Sequence, residues 1–393
     1  MSIKTVIQTK YEYNSKDYIL TLFLDEKDKA EYIFLENALA PSIAGSVYLA
    51  TVETILPNTK GAFVKITDGR KAFLQLNPNN NYLYIKKNSK KNELCAGDEI
   101  IVEISRDAHK SKEAAATANV LYDGDNLIIS SLDTKIGVSK KIEETKRKEI
   151  KEALATLSLP FGLIVRSSAS SLFAEDLIAE AKAYTEKFSD IIKMAKNSVS
   201  PSLLYKRANI ISTLILDNIS SINKIVVSNA DMLSDIKDNQ DVLDKLSVYN
   251  DKEFSLIALY GINSIIDNAI KKTVHLKSGG DIIIEQMETL TAIDVNSSHN
   301  NKKKQSVLEL NLEACDAIYS EIKKRNIYGM ILVDFLKMNK DDEARILTYM
   351  RSLFAKDIVS TNCLGFSRLG LLEITREKTY ISIKDAFLIW FLL

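Results

Sequence analysis

The sequence predicts a multidomain protein of mixed α+β and α/β class, with a small β-barrel near the N-terminus and an α/β sheet near the C-terminus. The first observation is the length, since 393 residues correspond to roughly two to four domains of ordinary size. The second is a series of short apolar segments separated by turn residues before residue 117, which is typical of a barrel. The third is the alternation of apolar segments and helical patterns after residue 277, which indicates strands that alternate with helices.

The first part of the chain is predicted to be made of strands. Those before about residue 40 are Thr5–Gln8, Tyr18–Leu24 and Ala30–Leu35. Those of the expected barrel are Gly45–Ile55, Gly61–Ile66, Lys71–Leu76 and Asp98–Ile104. Each run is apolar or alternating and is bounded by Gly, Pro, Asn or Asp, the residues that favour turns.

From Gly137 the hydrophobic period changes from that of strands to that of helices. The segments that follow up to Pro201 are predicted to be a helix at Glu143–Leu157, a strand at Gly162–Val165 and a helix at Leu172–Asn197. The last part is predicted to hold strands at Asp281–Glu285, Thr289–Val295, Gly329–Asp334 and Gly370–Thr375, with helices at about 305–325 and Asp341–Ala355.

Composition excludes several classes of protein. Lys plus Arg and Asp plus Glu both number 52, so net charge gives no global attraction to nucleic acid but leaves a local basic channel open. The three cysteines Cys95, Cys315 and Cys363 are far apart, which argues against a disulfide framework or a Cys-ligated zinc. The polar N-terminus is no secretory signal, and no apolar run is long enough for a membrane span. We therefore expect a cytoplasmic protein.

Two apolar segments in the last part share one pattern. Leu290–Asp294 and Met330–Asp334 each end in aspartate, with a helical pattern between them. Such a βαβ crossover places the strands parallel and ends both at the same sheet edge. Two carboxylates there would repel each other unless a cation bridges them, and Mg²⁺ is the natural bridge. Asn296 projects to the same side of the chain. The alternative is that each aspartate only ends its strand.

The surrounding motifs resemble those of the ribonuclease E/G family. Ser278–Asn296 resembles the central family signature, Asn311–Ala314 and Gly329–Phe335 match the motifs that follow in order, and Leu369–Arg376 resembles the closing motif. The resemblance implies an endoribonuclease that cuts single-stranded RNA with Mg²⁺. It also implies that Asp294 and Asp334 bind the metal and that Asn296 belongs to the catalytic site.

The resemblance further implies a discontinuous domain order, which composition does not show. The expected domains are a ribonuclease-H-like domain at 1–40 with 202–276, an OB-fold RNA-binding domain at 41–117, a 5′-phosphate sensor domain at 118–201 and a DNase-I-like catalytic domain at 277–393.

The barrel carries candidate RNA-binding residues. Phe63 and Phe73 lie on consecutive predicted strands, and aromatic rings exposed on an OB face stack on unpaired bases. The alternative is that both rings belong to the barrel core, as most phenylalanines do. Arg106 and Lys112 match basic positions of the family after the last predicted barrel strand, and basic residues there would hold phosphates. His109 and Lys110 lie between them.

A second candidate site follows the strand Gly162–Val165. Arg166 and Ser167 resemble the family's pocket for a 5′-monophosphate, where a guanidinium, a hydroxyl and backbone amides suit a terminal phosphate. The alternative is a surface arginine that pairs with an acidic residue such as Glu175.

The sequence departs from the family in three places. The loop at 297–304 holds three lysines and His299 instead of a Gly/Arg-containing loop, and Lys337 replaces an acidic residue. The Cys-Pro-x-Cys motif that links subunits through zinc in family enzymes is absent, so we expect any homo-oligomer to form without a zinc link.

The leading functional hypothesis is a Mg²⁺-dependent endoribonuclease of RNA processing and decay that a 5′-monophosphate stimulates. The main alternative is a catalytically inactive RNA-binding protein on the same scaffold, which the loop at 297–304 and Lys337 keep open. A third interpretation is a metal-dependent phosphoesterase that acts on DNA or another phosphodiester.

Overall fold

The computed structural model describes residues 3–38, 42–67, 69–77, 81–90, 93–108, 112–124, 126–140, 142–206, 210–236, 239–297 and 306–389. The chain divides into two compact units. The first unit comprises Met1–Pro41 and Ala208–Leu393, and the second comprises Ser42–Arg207. The second unit is thus an insertion in the sequence of the first.

The strands and helices are numbered in chain order. The strands before the second unit are β1 (Thr5–Tyr13), β2 (Lys16–Leu24) and β3 (Ala30–Asn37). The strands of the second unit are β4 (Val47–Leu56), β5 (Gly61–Lys65), β6 (Lys71–Gln75), β7 (Tyr84–Lys86), β8 (Glu99–Arg106), β9 (Ala114–Thr117), β10 (Leu121–Asp123), β11 (Leu127–Ser130), β12 (Ile136–Val138), β13 (Gly162–Val165) and β14 (Ser202–Tyr205). The strands after it are β15 (Lys224–Val227), β16 (Leu246–Val248), β17 (Thr273–His275), β18 (Asp281–Gln286), β19 (Leu290–Asn296), β20 (Gly329–Asp334), β21 (Thr361–Phe366) and β22 (Leu372–Arg376). The helices are α1 (Glu144–Ala155), α2 (Ala174–Asn197), α3 (Ile210–Asp217), α4 (Gln240–Leu243), α5 (Leu256–Leu259), α6 (Ile262–Ile270), α7 (Val307–Lys324), α8 (Lys340–Phe354) and α9 (Ile383–Ile389).

The second unit contains a closed barrel. Its strands follow the order β4-β5-β6-β9-β8, and β8 pairs back onto β4 to close the ring. Alternate side chains such as Val52, Val64 and Leu74 are fully buried inside it. The predicted barrel is therefore confirmed. One of its strands, β9, carries the sequence Ala-Ala-Ala-Thr and was not among the predicted strands.

A second sheet in this unit has the strand order β10-β11-β13-β12 and packs against α1 and α2. Its core includes Val47 and Leu49 of β4 beside Leu177 and Phe188 of α2, so the barrel and this sheet share one hydrophobic cluster. The strand β14 pairs with β4, although its residues fall within the range predicted for the ribonuclease-H-like domain. The domain boundaries inside this unit remain a prediction.

The first unit contains two sheets. In one, of order β16-β15-β1-β2-β3, strands β1, β2 and β3 form an antiparallel meander and β15 lies parallel to β1. In the other, of order β17-β18-β19-β20-β22-β21, β19 and β20 are parallel and α7 connects them. The predicted βαβ crossover is therefore confirmed. The mixed α/β class is also confirmed, and the ribonuclease-H-like and DNase-I-like assignments remain predictions.

Helices α7 and α8 cover one face of this second sheet, where Ile293, Ile331 and Val333 form its buried side with Ile318 and Ile346. The opposite face of the sheet carries more exposed residues, as the burial pattern of β19 shows. Within the described residues, no helix is both long and apolar enough to cross a membrane.

Candidate active site

The two predicted metal-binding aspartates lie next to each other on neighbouring strands. In the parallel pairing of β19 and β20, Asp294 is the register partner of Asp334. Adjacent strands lie about 4.8 Å apart, and residues in register point to the same face. Both side chains are exposed, whereas the flanking Ile293 and Val333 are buried on the helix side. The aspartates therefore share the open face at the carboxyl edge of the sheet.

Asn296 extends this arrangement along β19. It lies two residues beyond Asp294 on the same face, and its Nδ2 donates a hydrogen bond of 2.9 Å to Oδ2 of Asp294. This bond fixes the rotamer of the carboxylate. The carbonyl oxygen of the amide is left as an acceptor beside the two carboxylates.

Helix α7 holds the backbone that follows Asp334 in place through the side chain of Asn311. Asn311 is fully buried, and its Nδ2 donates to the carbonyl of Leu336 at 2.9 Å while its Oδ1 accepts from the Leu336 N–H at 3.2 Å. Leu336 follows Asp334 by two residues, so the exit of β20 has a fixed path. A Cβ on Gly280 would lie 2.7 Å from the carbonyl oxygen of Asn296, so the turn before β18 requires glycine there.

The donor set suits a small divalent cation. Two carboxylates and an amide provide hard oxygen ligands, and Mg²⁺ is bound through one or two carboxylates while it keeps several waters. Within the described residues, no group of three or more His, Cys, Asp or Glu side chains could enclose a metal ion. Two carboxylates and one amide match the small number of protein ligands with which Mg²⁺ is usually held.

In the second unit, Phe63 and Phe73 face outward from the barrel. They are register partners on β5 and β6, with ring centroids 5.8 Å apart and planes at 71°. Their neighbours Ala62 and Leu74 fill the barrel core, whereas both phenylalanines are half-buried on the other side of the strands. The barrel-core alternative is therefore wrong for these rings.

The row of outward-facing residues that contains Phe63 and Phe73 continues across the sheet to the basic residue Arg106. Ala115 of β9 is the register partner of Phe73 on one side and of Arg106 on the other. Phe63, Phe73 and Arg106 thus belong to one row across the sheet, with only a small side chain between ring and guanidinium. Both Arg106 and Lys112 are exposed. His109 and Lys110 lie outside the described residues.

A glycine and three charged residues lie beside the two phenylalanine rings on the outer face of the barrel. The Phe73 ring lies over Gly61, where a Cβ would come within 2.2 Å of the ring. Lys71 and Lys65 lie 2.7 Å and 3.2 Å from the Glu53 carboxylate, and the bond from Lys71 holds the pKa of Glu53 below its usual value. The two lysines and one glutamate leave an excess of one positive charge beside the rings.

Arg166 and Ser167 lie at the end of β13. The Arg166 N–H donates to the carbonyl of Asn126 at 2.8 Å, and Ser167 begins a 3-10 helix that ends at Ser171. Strand β12 runs parallel to β13 with Val138 opposite Val165, so Ser139 leaves the sheet beside Arg166. A half-buried guanidinium, an exposed serine hydroxyl and the first turn of a helix therefore converge at one sheet edge.

Comparison with known proteins agrees with these motifs. The model of the ribonuclease E/G family matches residues 122–379. The chain belongs to the ribonuclease E/G family. The family predicted from the motifs is thus confirmed, and with it the assignment to a family of ribonucleases.

Several curated members of the family are similar along most of the chain. Ribonuclease G of Haemophilus influenzae is 28% identical over 377 residues, which cover 90% of this chain and 76% of that protein. Ribonuclease E of Escherichia coli is 30% identical over 362 residues, which cover 87% of this chain and 34% of that protein. A ribonuclease E/G-like protein of Pyropia yezoensis is 29% identical over 351 residues, with 84% and 68% covered. The chain thus spans three quarters of the ribonuclease G relative but only a third of the ribonuclease E relative.

The predicted residues of the ribonuclease E/G family fall into both units. Asp294, Asn296 and Asp334 lie in the first unit, and the outward aromatic row and the Arg166 edge lie in the second. Of the family departures, Lys337 is exposed two residues beyond Phe335. Most of the loop at 297–304, including His299, lies outside the described residues. The roles of all these side chains remain predictions.

Two residues that shape these sites, Asn311 and Gly61, were not among the predicted site residues. Asn311 lies in a segment that matches a family motif, but its bonds to Leu336 depend on tertiary packing and leave no pattern in the sequence. Gly61 was assigned only as a strand start. Gly61 follows a Pro-Asn turn and begins the predicted strand that holds Phe63. A glycine at such a position was the signal that could have indicated close contact between its backbone and another side chain.

Proposed function

We propose that the chain is a Mg²⁺-dependent endoribonuclease that cleaves single-stranded RNA in RNA processing and decay, in the cytoplasm. The observation that carries the proposal is the register pairing of Asp294 with Asp334 on the open face of the catalytic sheet. Membership in the ribonuclease E/G family supports the reaction class.

In this proposal, side chains of the protein position the cation, the attacking water and the RNA bases. Asp294 and Asp334, on two neighbouring strands, would hold the cation. Asn296 restrains Asp294 through its 2.9 Å hydrogen bond and offers its carbonyl oxygen to an attacking water. When bound, Mg²⁺ would supply positive charge that offsets the negative charge developing on the scissile phosphate. The aromatic row of the barrel would hold unpaired bases by stacking.

The decisive test is to remove each carboxylate charge without changing side-chain shape. Asp294→Asn and Asp334→Asn should each lower turnover of a short single-stranded RNA by at least about a hundredfold, because each supplies a metal ligand. RNA affinity, measured by fluorescence anisotropy, should stay within about threefold because the barrel residues are untouched. Asp341→Asn, an exposed carboxylate in the first turn of α8, is the matched control.

The outcomes separate the competing functions. Unchanged turnover in both variants would remove the proposed site. RNA binding by the wild type without cleavage at any Mg²⁺ concentration would favour an inactive RNA-binding protein. Equal cleavage of a 2′-deoxy substrate would favour a broader phosphodiesterase.

We further propose that the Arg166 edge binds a 5′-monophosphate and stimulates cleavage. Arg166→Ala should erase any preference for 5′-phosphorylated over 5′-hydroxyl RNA, because a guanidinium is the strongest partner for a terminal phosphate in this cluster. Lys151→Ala, which removes an exposed positive charge from α1, should keep the preference. Equal wild-type rates on the two RNAs would contradict the proposal.

A further inference from the structure

A cavity of about 410 Å³ lies in the first unit. Its walls come from the β1–β2 turn, the end of α6, the end of β18 and helix α9. None of its lining residues belongs to the proposed catalytic, RNA-binding or 5′-phosphate sites. Its size falls in the range of about 300–1,000 Å³ that small-molecule sites occupy.

Arg325 lies in the wall of this cavity and has a donor without a partner. Its side chain is only 5% exposed, its Nε donates to Glu321 at 2.6 Å and its Nη1 donates to the carbonyl of Lys271 at 2.6 Å. Within the described residues, its buried Nη2 has no hydrogen-bond acceptor. Buried donors in native proteins are almost always paired, so this guanidinium retains the capacity for one more hydrogen bond.

The charge of the lining favours an anion. Lys272 forms an ion pair of 2.9 Å with Glu285, so these two charges offset each other. Lys384 donates to the backbone carbonyl of Gln286, and its positive charge is also attracted to the Glu285 carboxylate. Among the lining residues, three are positively charged and one is negatively charged: Lys272, Lys384, Arg325 and Glu285. The lining therefore has an excess of positive charge. Glu321, which pairs with Arg325, offsets part of this excess.

The rest of the lining is apolar and partly open to solvent. Ile284 is buried in the wall, and the Phe387 ring packs at 4.2 Å between centroids against Tyr13. Around the opening, Ile270, Met287 and Leu388 are 40%, 54% and 48% exposed. A bare inorganic ion would leave this apolar surface uncovered, whereas a ligand with an apolar body would bury it.

We propose that this cavity binds a small organic anion, with its carboxylate or phosphate toward Arg325 and Lys384 and its apolar body against Ile284 and Phe387. A guanidinium with a free N–H and a lysine ammonium form strong charge-assisted hydrogen bonds with such groups. The proposal does not depend on nuclease activity.

The test is calorimetric titration of the full chain with four probes. Phenyl phosphate and benzoate each combine a negative charge with an aromatic ring, and comparing them shows whether the cavity prefers a phosphate or a carboxylate. Inorganic phosphate lacks the ring, and benzyl alcohol lacks the charge. At least one of the first two should bind saturably, and about tenfold more tightly than either single-feature probe, because both halves of the site contribute. Equal binding of benzyl alcohol, or no saturable binding of phenyl phosphate and benzoate, would overturn the proposal.

Variants locate the binding. Lys384→Glu reverses an exposed charge at the cavity, and Ile270→Trp fills its opening, so each should weaken the probe at least about tenfold. Lys356→Glu, an exposed lysine after α8, is the matched control. Arg325→Met tests the donor directly but also breaks the bonds to Glu321 and Lys271, so the two surface variants decide. Binding that survives both surface variants, or that disappears only in Arg166→Ala, would overturn the assignment to this cavity.

Discussion

At the scale of single residues, the prediction that the barrel binds RNA depends on the orientation of Phe63 and Phe73. A β-strand turns alternate side chains to opposite faces, and the structure turns Ala62 and Leu74 inward and the two rings outward. The sequence could not show this, because Gly-Ala-Phe-Val and Ala-Phe-Leu are apolar at both alternating positions. The register and the closure of the barrel select the face.

The outward rings yield a prediction about RNA affinity. Phe73→Ala and Phe63→Ala should each weaken binding of single-stranded RNA by about 1–3 kcal/mol, since stacking on one base contributes that much. Anisotropy titrations in the Asp334→Asn background measure this without cleavage, and Phe73→Trp should restore most of the affinity. Phe254→Ala, which removes another exposed ring, is the control. Wild-type affinity in both alanine variants would rule out a stacking platform here.

At the scale of secondary-structure elements, the βαβ crossover was predictable and the alanine-rich strand β9 was not. Two apolar runs that end in aspartate with a helix between them leave only one common topology, and the structure has it. Strand β9 escaped prediction because alanine favours helices on its own. It is a strand because β6 and β8 offer unpaired backbone groups on both sides, and such context overrides local preference.

The link between α7 and the exit of β20 yields a prediction about catalysis and stability. Asn311→Ala would leave both backbone groups of Leu336 without their partner, so the free energy of unfolding should fall by roughly 1–3 kcal/mol. Because Leu336 follows Asp334 by two residues, cleavage should slow while RNA affinity is retained. Urea denaturation and paired activity and anisotropy assays measure these effects. Asn263→Ala on the exposed side of α6 is the control, and a variant with full activity would show that Asp334 needs no such support.

At the scale of the whole molecule, the order of the strands along the sequence does not reveal which strands pair with each other. The meander β1–β3 pairs with β15, although the whole second unit lies between them in the chain. Composition and periodicity are local and do not register such pairing; the expectation of a discontinuous domain order came from the family resemblance alone. The net charge of zero likewise hides local differences, such as the positive excess beside the aromatic row.

The second unit has the features of an independently folding insertion. Its first strand β4 and its last strand β14 pair with each other, with Ser202 opposite Leu49, so the two ends of the unit lie side by side. It also has hydrophobic clusters of its own, one inside the barrel and one shared by the barrel, the second sheet and α2. Adjacent ends and a separate core are what allow a domain to be inserted or removed.

We therefore expect residues 42–207 to fold when expressed alone and to bind single-stranded RNA without cutting it. Binding should persist because the aromatic row and Arg106 lie within the fragment, and cleavage should be absent at every Mg²⁺ concentration because Asp294 and Asp334 lie outside it. Thermal unfolding followed by circular dichroism, anisotropy and gel-based cleavage assays test the three parts, with Phe73→Ala in the fragment as the binding control. RNA cleavage by the fragment would move the active site out of the first unit, and a folded fragment without RNA affinity would place the binding surface elsewhere.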